Sequence, residues 1–178
     1  MTQLILFNKP YNVLSQFSGD VHEQTLAAYI KIPDFYAAGR LDKNSEGLLL
    51  LTDNGSLQHQ LSHPKFDKKK YYWVQIEGTP SEVNLEPLRK GLKIKEVSFL
   101  PAEVNIIPEP QNLWPRNPPI RIRQNIPTTW LEIILKEGKN HQVRRMTAAV
   151  GFPTLRLIRH KIGEWELGSL QPGEYKFQ

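Results

Sequence analysis

The chain has 178 residues, enough to bury a substantial core in one domain or in two tightly joined subdomains. Hydrophobic residues make up 39% and charged residues 23%, a globular balance that excludes a disordered chain. There is no cysteine, which removes disulfides, thiolate metal sites and cysteine nucleophiles together, and the net charge of +5 fits either a polyanionic partner or an ordinary lysine-covered surface.

Residues 4–7 form an apolar run that reads as a strand, ending at Asn8-Lys9-Pro10-Tyr11-Asn12. The run is too short for a signal-peptide core and no other approaches membrane length, so a soluble cytoplasmic protein without a membrane partner is expected. Residues 25–30 suit a short helix stopped before Pro33.

Next comes the segment on which the functional reading turns. Gly39-Arg40-Leu41-Asp42-Lys43-Asn44-Ser45-Glu46-Gly47 packs cations and carboxylates between two glycines, and four leucines follow. Residues 48–52, bounded by glycine and by Asp53-Asn54-Gly55, read as a buried strand. The charged loop before it then presents Arg40 and Asp42 at a sheet edge, held rigidly enough for chemistry. A plain polar turn capped by Asp42 fits the same residues.

Residues 56–62 read as a helix ended by His63-Pro64. His59 and His63 stand four apart, a metal-binding spacing, but no third ligand accompanies them and no metal site is expected. Four lysines within residues 65–70 lead into a strand of aromatic and branched residues over 71–76. Thr79 as N-cap, Pro80 in the first turn and Glu82 then start a helix that runs to Lys90 and stops at Gly91. Residues 100–107 alternate as a strand.

Residues 108–127 hold six of the 14 prolines together with Trp114, Arg116, Arg121 and Arg123. This segment forms no regular interior element and is either a surface excursion or a loop that stacks on bases and contacts phosphates. Residues 130–135 read as a strand and 141–150 as a helix with Asn140 as N-cap and Gly151 as its stop. On that helix Val143, Met146, Thr147 and Val150 share the core face, with Arg144 and Arg145 beside it. The tail reads as two or three strands. Strands outnumber helices without strict alternation, so the fold class is α+β with a mixed, largely antiparallel sheet and flanking helices.

Gly39-Arg40-Leu41-Asp42 with Ser45-Glu46-Gly47-Leu48-Leu49 resembles the catalytic motif of the RsuA/RluB/RluE group of pseudouridine synthases. Lys70-Tyr71-Tyr72-Trp73-Val74 is similar to the family's Lys-x-Tyr-x-Val motif, and residues 137–146 to its Glu-Gly-(Arg/Lys)-Asn-x-Gln-Val-Arg-Arg-Met motif. Residues 114–121 resemble an insertion of one stand-alone subtype of the family. The resemblance runs from Lys9-Pro10 nearly to the last strand. It implies the family's catalytic fold over residues 1–178, with the active site in a central cleft and no N-terminal S4 RNA-binding domain.

The resemblance also implies roles. Asp42 is the catalytic carboxylate, Tyr72 the active-site tyrosine and Arg144 the partner of that carboxylate. Arg40 holds the flipped-out base, Leu157 is the apolar floor beneath it, and Lys70, Trp114, Arg116 and Arg121 contact RNA. The reaction moves ribose C1′ from N1 to C5 of the same uracil, a redox-neutral isomerisation for which no cofactor is expected. A carboxylate beside an anomeric carbon, as nucleophile or base, suits such chemistry, and a flanking arginine favours its ionised form. The implied partner is 23S ribosomal RNA or a large-subunit assembly intermediate, acted on by a monomer. An RNA-binding factor with the same fold, and a glycosidase using Asp42 with Glu46, are the competing readings.

Overall fold

The computed structural model describes residues 2–63, 66 and 68–178. It divides into two units, residues 1–68 with 158–178 and residues 69–157.

The first unit is built on two strands. β1 (Leu4–Lys9) pairs antiparallel with β3 (Glu46–Thr52), and every residue of both is buried. The run of leucines explains this, because a strand covered on both faces has no need of polar alternation. β11 (Tyr175–Phe177) adds antiparallel to β1, and β2 (Tyr36–Ala38) adds antiparallel to β3. β9 (Thr154–Ile162) begins in the second unit and ends in the first, where Ile158 and Arg159 pair in parallel with Glu46 and Gly47. β10 (Trp165–Glu166) turns back on β9.

Ile5, Phe7, Leu49 and Leu51 form one core with Leu26, Ile30, Phe35 and Leu41. Truncating one of these leucines to alanine costs roughly 2–5 kcal/mol. The helix expected over residues 25–30 is only a 3-10 turn, Leu26–Ala28, with the Thr25 hydroxyl accepting from the Ala27 amide. Helix α1 (Gly55–Ser62) has Asn54 as its N-cap, accepting from the Leu57 amide. Pro64 and Lys65, read above as the helix stop and the start of the lysine run, lie outside the described residues.

The second unit holds a three-stranded antiparallel sheet. β4 (Lys70–Glu77) pairs with β8 (Thr128–Leu135), which pairs with β7 (Glu103–Ile107). Helix α2 (Glu82–Lys90) buries Leu85 and Leu88 in the same core as Val74, Ile76, Leu131 and Ile133. Its N-cap is Ser81 rather than Thr79: the Ser81 hydroxyl accepts from the Asn84 amide and the Ser81 amide donates to the Asn84 side chain, while Glu82, the expected partner of a Thr79 cap, pairs with Arg89. Arg89 bridges Glu82 and Glu86 and donates to the Val104 carbonyl, fixing α2 onto β7.

The strand expected over 100–107 is shorter, β7 (Glu103–Ile107), and a hairpin not expected from the sequence precedes it. Residues 92–99 form a hairpin of β5 (Leu92–Ile94) and β6 (Val97–Phe99), and Pro101 separates it from β7. Helix α3 (Gln142–Ala149) follows β8. Among the described residues there are three α-helices, none long and apolar enough to cross a membrane. The strand pairings above are antiparallel except β3 with β9, so the molecule is α+β with a largely antiparallel mixed sheet, as its sequence pattern implied.

Candidate active site

In the first unit, residues 39–45 join β2 to β3 and carry Arg40 and Asp42. Gly39 turns at φ +87°, and Gly47 at φ +112° lets the chain enter β3. A Cβ at Gly47 would stand 2.2 Å from the Arg159 carbonyl oxygen, so the contact of β3 with β9 requires glycine there.

The backbone around Asp42 is held residue by residue. The Ser15 hydroxyl accepts from the Leu41 amide at 3.0 Å and donates to the Leu41 carbonyl. The Arg40 carbonyl accepts from the Arg159 guanidinium at 3.4 Å, while the Nε of Arg159 donates to the Leu48 carbonyl at 2.9 Å. The Lys43 carbonyl accepts from the Asn12 amide at 2.8 Å and from Lys9 Nζ at 3.4 Å. The Ser45 amide closes a turn onto the Asp42 carbonyl. Leu41 is buried and anchors the loop in the core, Asp42 is half-buried, and the Arg40 side chain is exposed. A carboxylate on a backbone pinned at three consecutive residues, 41, 42 and 43, needs little reorganisation to act.

Beneath this loop lies Lys9, fully buried, donating also to the Val13 carbonyl at 2.7 Å and the Pro10 carbonyl at 2.9 Å. Burial pushes its ammonium down to about 7; the Glu46 carboxylate opposes this, the Arg159 guanidinium adds to it, and Asp42 opposes it. Glu46 is itself buried, at 2% exposure, with its carboxylate acting on the buried Lys9 ammonium. Ser15 and Arg159 hold the Asp42 loop and were not singled out in the sequence, whereas Lys9 stood out there only as the start of the Lys9-Pro10 motif.

The state of Lys9 has a measurable consequence. Between about pH 7 and 10.5 the unfolded chain holds a proton on Lys9 that the folded chain has released, so this group makes the fold more stable as pH rises. Its contribution is flat below and above that window. Urea denaturation of the parent and of Lys9→Met across pH 7.5–9.5 should therefore diverge by about 1.4 kcal/mol per pH unit, the parent rising more steeply. Parallel curves would mean that Lys9 stays charged in its cavity.

The second unit carries the remaining predicted residues. Tyr72 on β4 sits opposite Ile133 and is 8% exposed; it shares a core cluster with Leu157, which is 5% exposed. The sheet thus brings the tyrosine and the apolar floor residue into one wall. Lys70 opens β4, half-buried.

Arg144, also half-buried, stands in the first turn of α3. That helix starts at His141 with φ +50° and no side-chain cap, in place of the Asn140 cap expected above. Two side chains tie the start of the helix to the chain before it. Gln142 accepts from the Lys139 amide and donates to the Glu137 carboxylate at 2.8 Å, and Glu137 accepts from the Leu100 amide. At the other end the Thr147 and Thr154 hydroxyls share a hydrogen bond of 2.7 Å. A cation in the first turn opposes the helix dipole, at a cost of about 0.3–1 kcal/mol, so Arg144 is placed against local preference.

In the proline-rich segment, Arg116 donates to the carbonyls of Pro118, Pro119 and Leu155, which gives it a bracing role within its own loop. Trp114 has the buried Arg156 guanidinium 5.8 Å from its ring centroid, and Arg156 also donates to its carbonyl. Arg121 is exposed. Asp42 and Arg40 therefore belong to the first unit, and Tyr72, Arg144, Leu157, Lys70, Trp114, Arg116 and Arg121 to the second.

The model of the RNA pseudouridylate synthase family matches residues 3–149. The chain is 56% identical over 174 residues to ribosomal large subunit pseudouridine synthase E of Vibrio vulnificus, covering 98% of this chain and 74% of the relative. It is 51% identical over 175 residues to the protein of the same name from Xanthomonas campestris pv. campestris, covering 97% and 94%. A crystal structure of a pseudouridylate synthase superposes with a TM-score of 0.81 at 27% identity, covering 100% of this chain and 70% of that one.

Proposed function

We propose a specific reaction for this chain, which belongs to the RNA pseudouridylate synthase family: isomerisation of one uridine of 23S ribosomal RNA to pseudouridine, with Asp42 as the catalytic carboxylate. The observation that supports it most is identity above 50% along almost the whole chain with relatives named for large-subunit ribosomal RNA. The pinned backbone around Asp42 adds independent support from this chain's own residues.

The reaction breaks the N1–C1′ bond and makes a C5–C1′ bond, after which C5 loses its proton and N1 gains one; atoms and electrons balance without an oxidant. The target uridine first leaves its stack, because Asp42 has no other way to reach its sugar. The exposed Arg40 side chain fits a role in holding the flipped state, and Leu157 with the Tyr72 ring fits an apolar wall for uracil. The Asp42 carboxylate opens the glycosidic bond as nucleophile or base, Arg144 keeps it ionised, and the Tyr72 hydroxyl serves the C5 proton. Lys70 and the proline-rich segment, with Trp114 and Arg121 at its surface and Arg116 bracing it, supply RNA contacts.

Loss of the C5 proton makes the reaction directly visible. The purified protein, incubated with a 23S transcript made from uridine tritiated at C5, should release tritium to water up to about one equivalent per transcript. No release from that transcript or from large-subunit precursor particles would contradict the proposal.

A further inference from the structure

At the opposite end of β4 from Tyr72, the second unit carries a groove of about 520 Å³ lined by Glu77, Arg121, Arg123, Pro153 and Leu155. That volume lies in the range of small-ligand sites and accepts one nucleotide. Backbone bonds hold its walls: the Glu77 amide donates to the Pro153 carbonyl at 2.9 Å, the Gly78 amide to the Pro127 carbonyl at 2.7 Å, and Arg116 to the Leu155 carbonyl. Two guanidiniums on an exposed loop beside an apolar proline and leucine are the elements of a phosphate-and-base site.

Glu77 is the unexpected member. Its side chain is only 15% exposed, and its carboxylate stands 3.7 Å from Arg123 Nε. A carboxylate in a phosphate groove repels the ligand unless it meets a hydrogen-bond donor. The amino groups of cytosine, adenine and guanine are such donors, whereas uracil offers only its N3–H, flanked by two carbonyl oxygens that the carboxylate repels. The Arg123 side chain is 71% exposed, so its ion pair with Glu77 is worth little and the guanidinium can turn to a phosphate at small cost. Five residues of strand, roughly 16 Å, separate Glu77 from Tyr72, which is the reach of a flanking nucleotide and not of the target itself.

We propose that this groove is a subsite for one unpaired nucleotide of the RNA substrate, flanking the target uridine, and that Glu77 makes it prefer an amino-bearing base over uracil. The inference rests on the reading of the chain as an RNA-modifying enzyme.

The test is fluorescence anisotropy with labelled nine-residue oligoribocytidylate and oligoribouridylate. The parent should bind the cytidylate about 3–10-fold more tightly, the net worth of one typical hydrogen bond. Glu77→Gln should erase or invert that preference, since its amide can donate to uracil O4. Arg121→Ala with Arg123→Ala should weaken both oligomers alike and lower the salt slope by about one per arginine engaged. A parent without preference, a preference that survives Glu77→Gln, or arginine variants with parental affinity and salt slope would each overturn the subsite. Tritium release from the 23S transcript, measured on the same preparations, separates the two failures. A parent that releases tritium while the oligomers show any of those results loses only the subsite. A parent that releases none loses the enzymatic reading on which the subsite rests.

Discussion

Asp42→Asn is expected to lower pseudouridine formation by on the order of 10⁴-fold or more, with folding and RNA affinity retained. Asparagine keeps the shape of the side chain and removes only the charge. The loop should keep its backbone course, because the bonds from Arg159, Ser15 and Lys9 to the backbone of Arg40, Leu41 and Lys43 are unchanged by the exchange. Folding is checked by thermal melting, affinity by filter binding to the 23S transcript, and activity by tritium release. A variant that melts and binds like the parent and still releases tritium within about tenfold of the parental rate would remove Asp42 from the chemistry.

The second large effect separates Tyr72 from Arg144. Tyr72→Phe keeps the ring in the core cluster that includes Leu157 and deletes only the hydroxyl. If that hydroxyl takes or relays the C5 proton, the variant should slow pseudouridine formation by about 10²–10⁴-fold while leaving glycosidic cleavage intact. Arg144→Ala should fall on the earlier step, because it removes the cation that keeps the carboxylate charged. RNA carrying 5-fluorouridine has no C5 proton to lose and so exposes the difference. Tyr72→Phe should process it near the parental rate, and Arg144→Ala should not. Equal failure of both on the fluorinated substrate would make Tyr72 a residue of the wall with no part in proton transfer.

Much of this molecule was legible because its signals are local. The leucines of residues 48–51 announced β3, Gly91 sits where its chemistry places a helix end, and the loop bearing Asp42 stood out between two glycines. The misreadings have physical causes. The arms of the β5–β6 hairpin alternate but are only three residues long, and the Lys95-Glu96 turn between them has no glycine or asparagine to mark it. Glu82, three residues after Thr79, made Thr79 look like the cap that Ser81 provides. Helix α3 starts at His141 without a side-chain cap, tied to the preceding loop by Glu137 and Gln142, which left no cap signal to find.

The lock on the Asp42 loop was invisible for a different reason. Arg159 reaches the Arg40 carbonyl across 119 positions of sequence, and Ser15 reaches Leu41 across 26. Lys9 stood out only as the start of the Lys9-Pro10 motif, and nothing beside it in sequence announces that the fold closes over it. Long-range contacts of buried polar groups leave no periodic trace, although each is costly to leave unsatisfied and so is under tight physical constraint once formed.

The most direct measurement is a pseudouridine map of large-subunit ribosomal RNA from cells lacking the protein, complemented with the parent chain or with Asp42→Asn. One uridine should be unmodified in the deletion strain, regained with the parent chain and still unmodified with Asp42→Asn. An unchanged map in the deletion strain, or full restoration by Asp42→Asn, would contradict the assignment of both the reaction and its carboxylate.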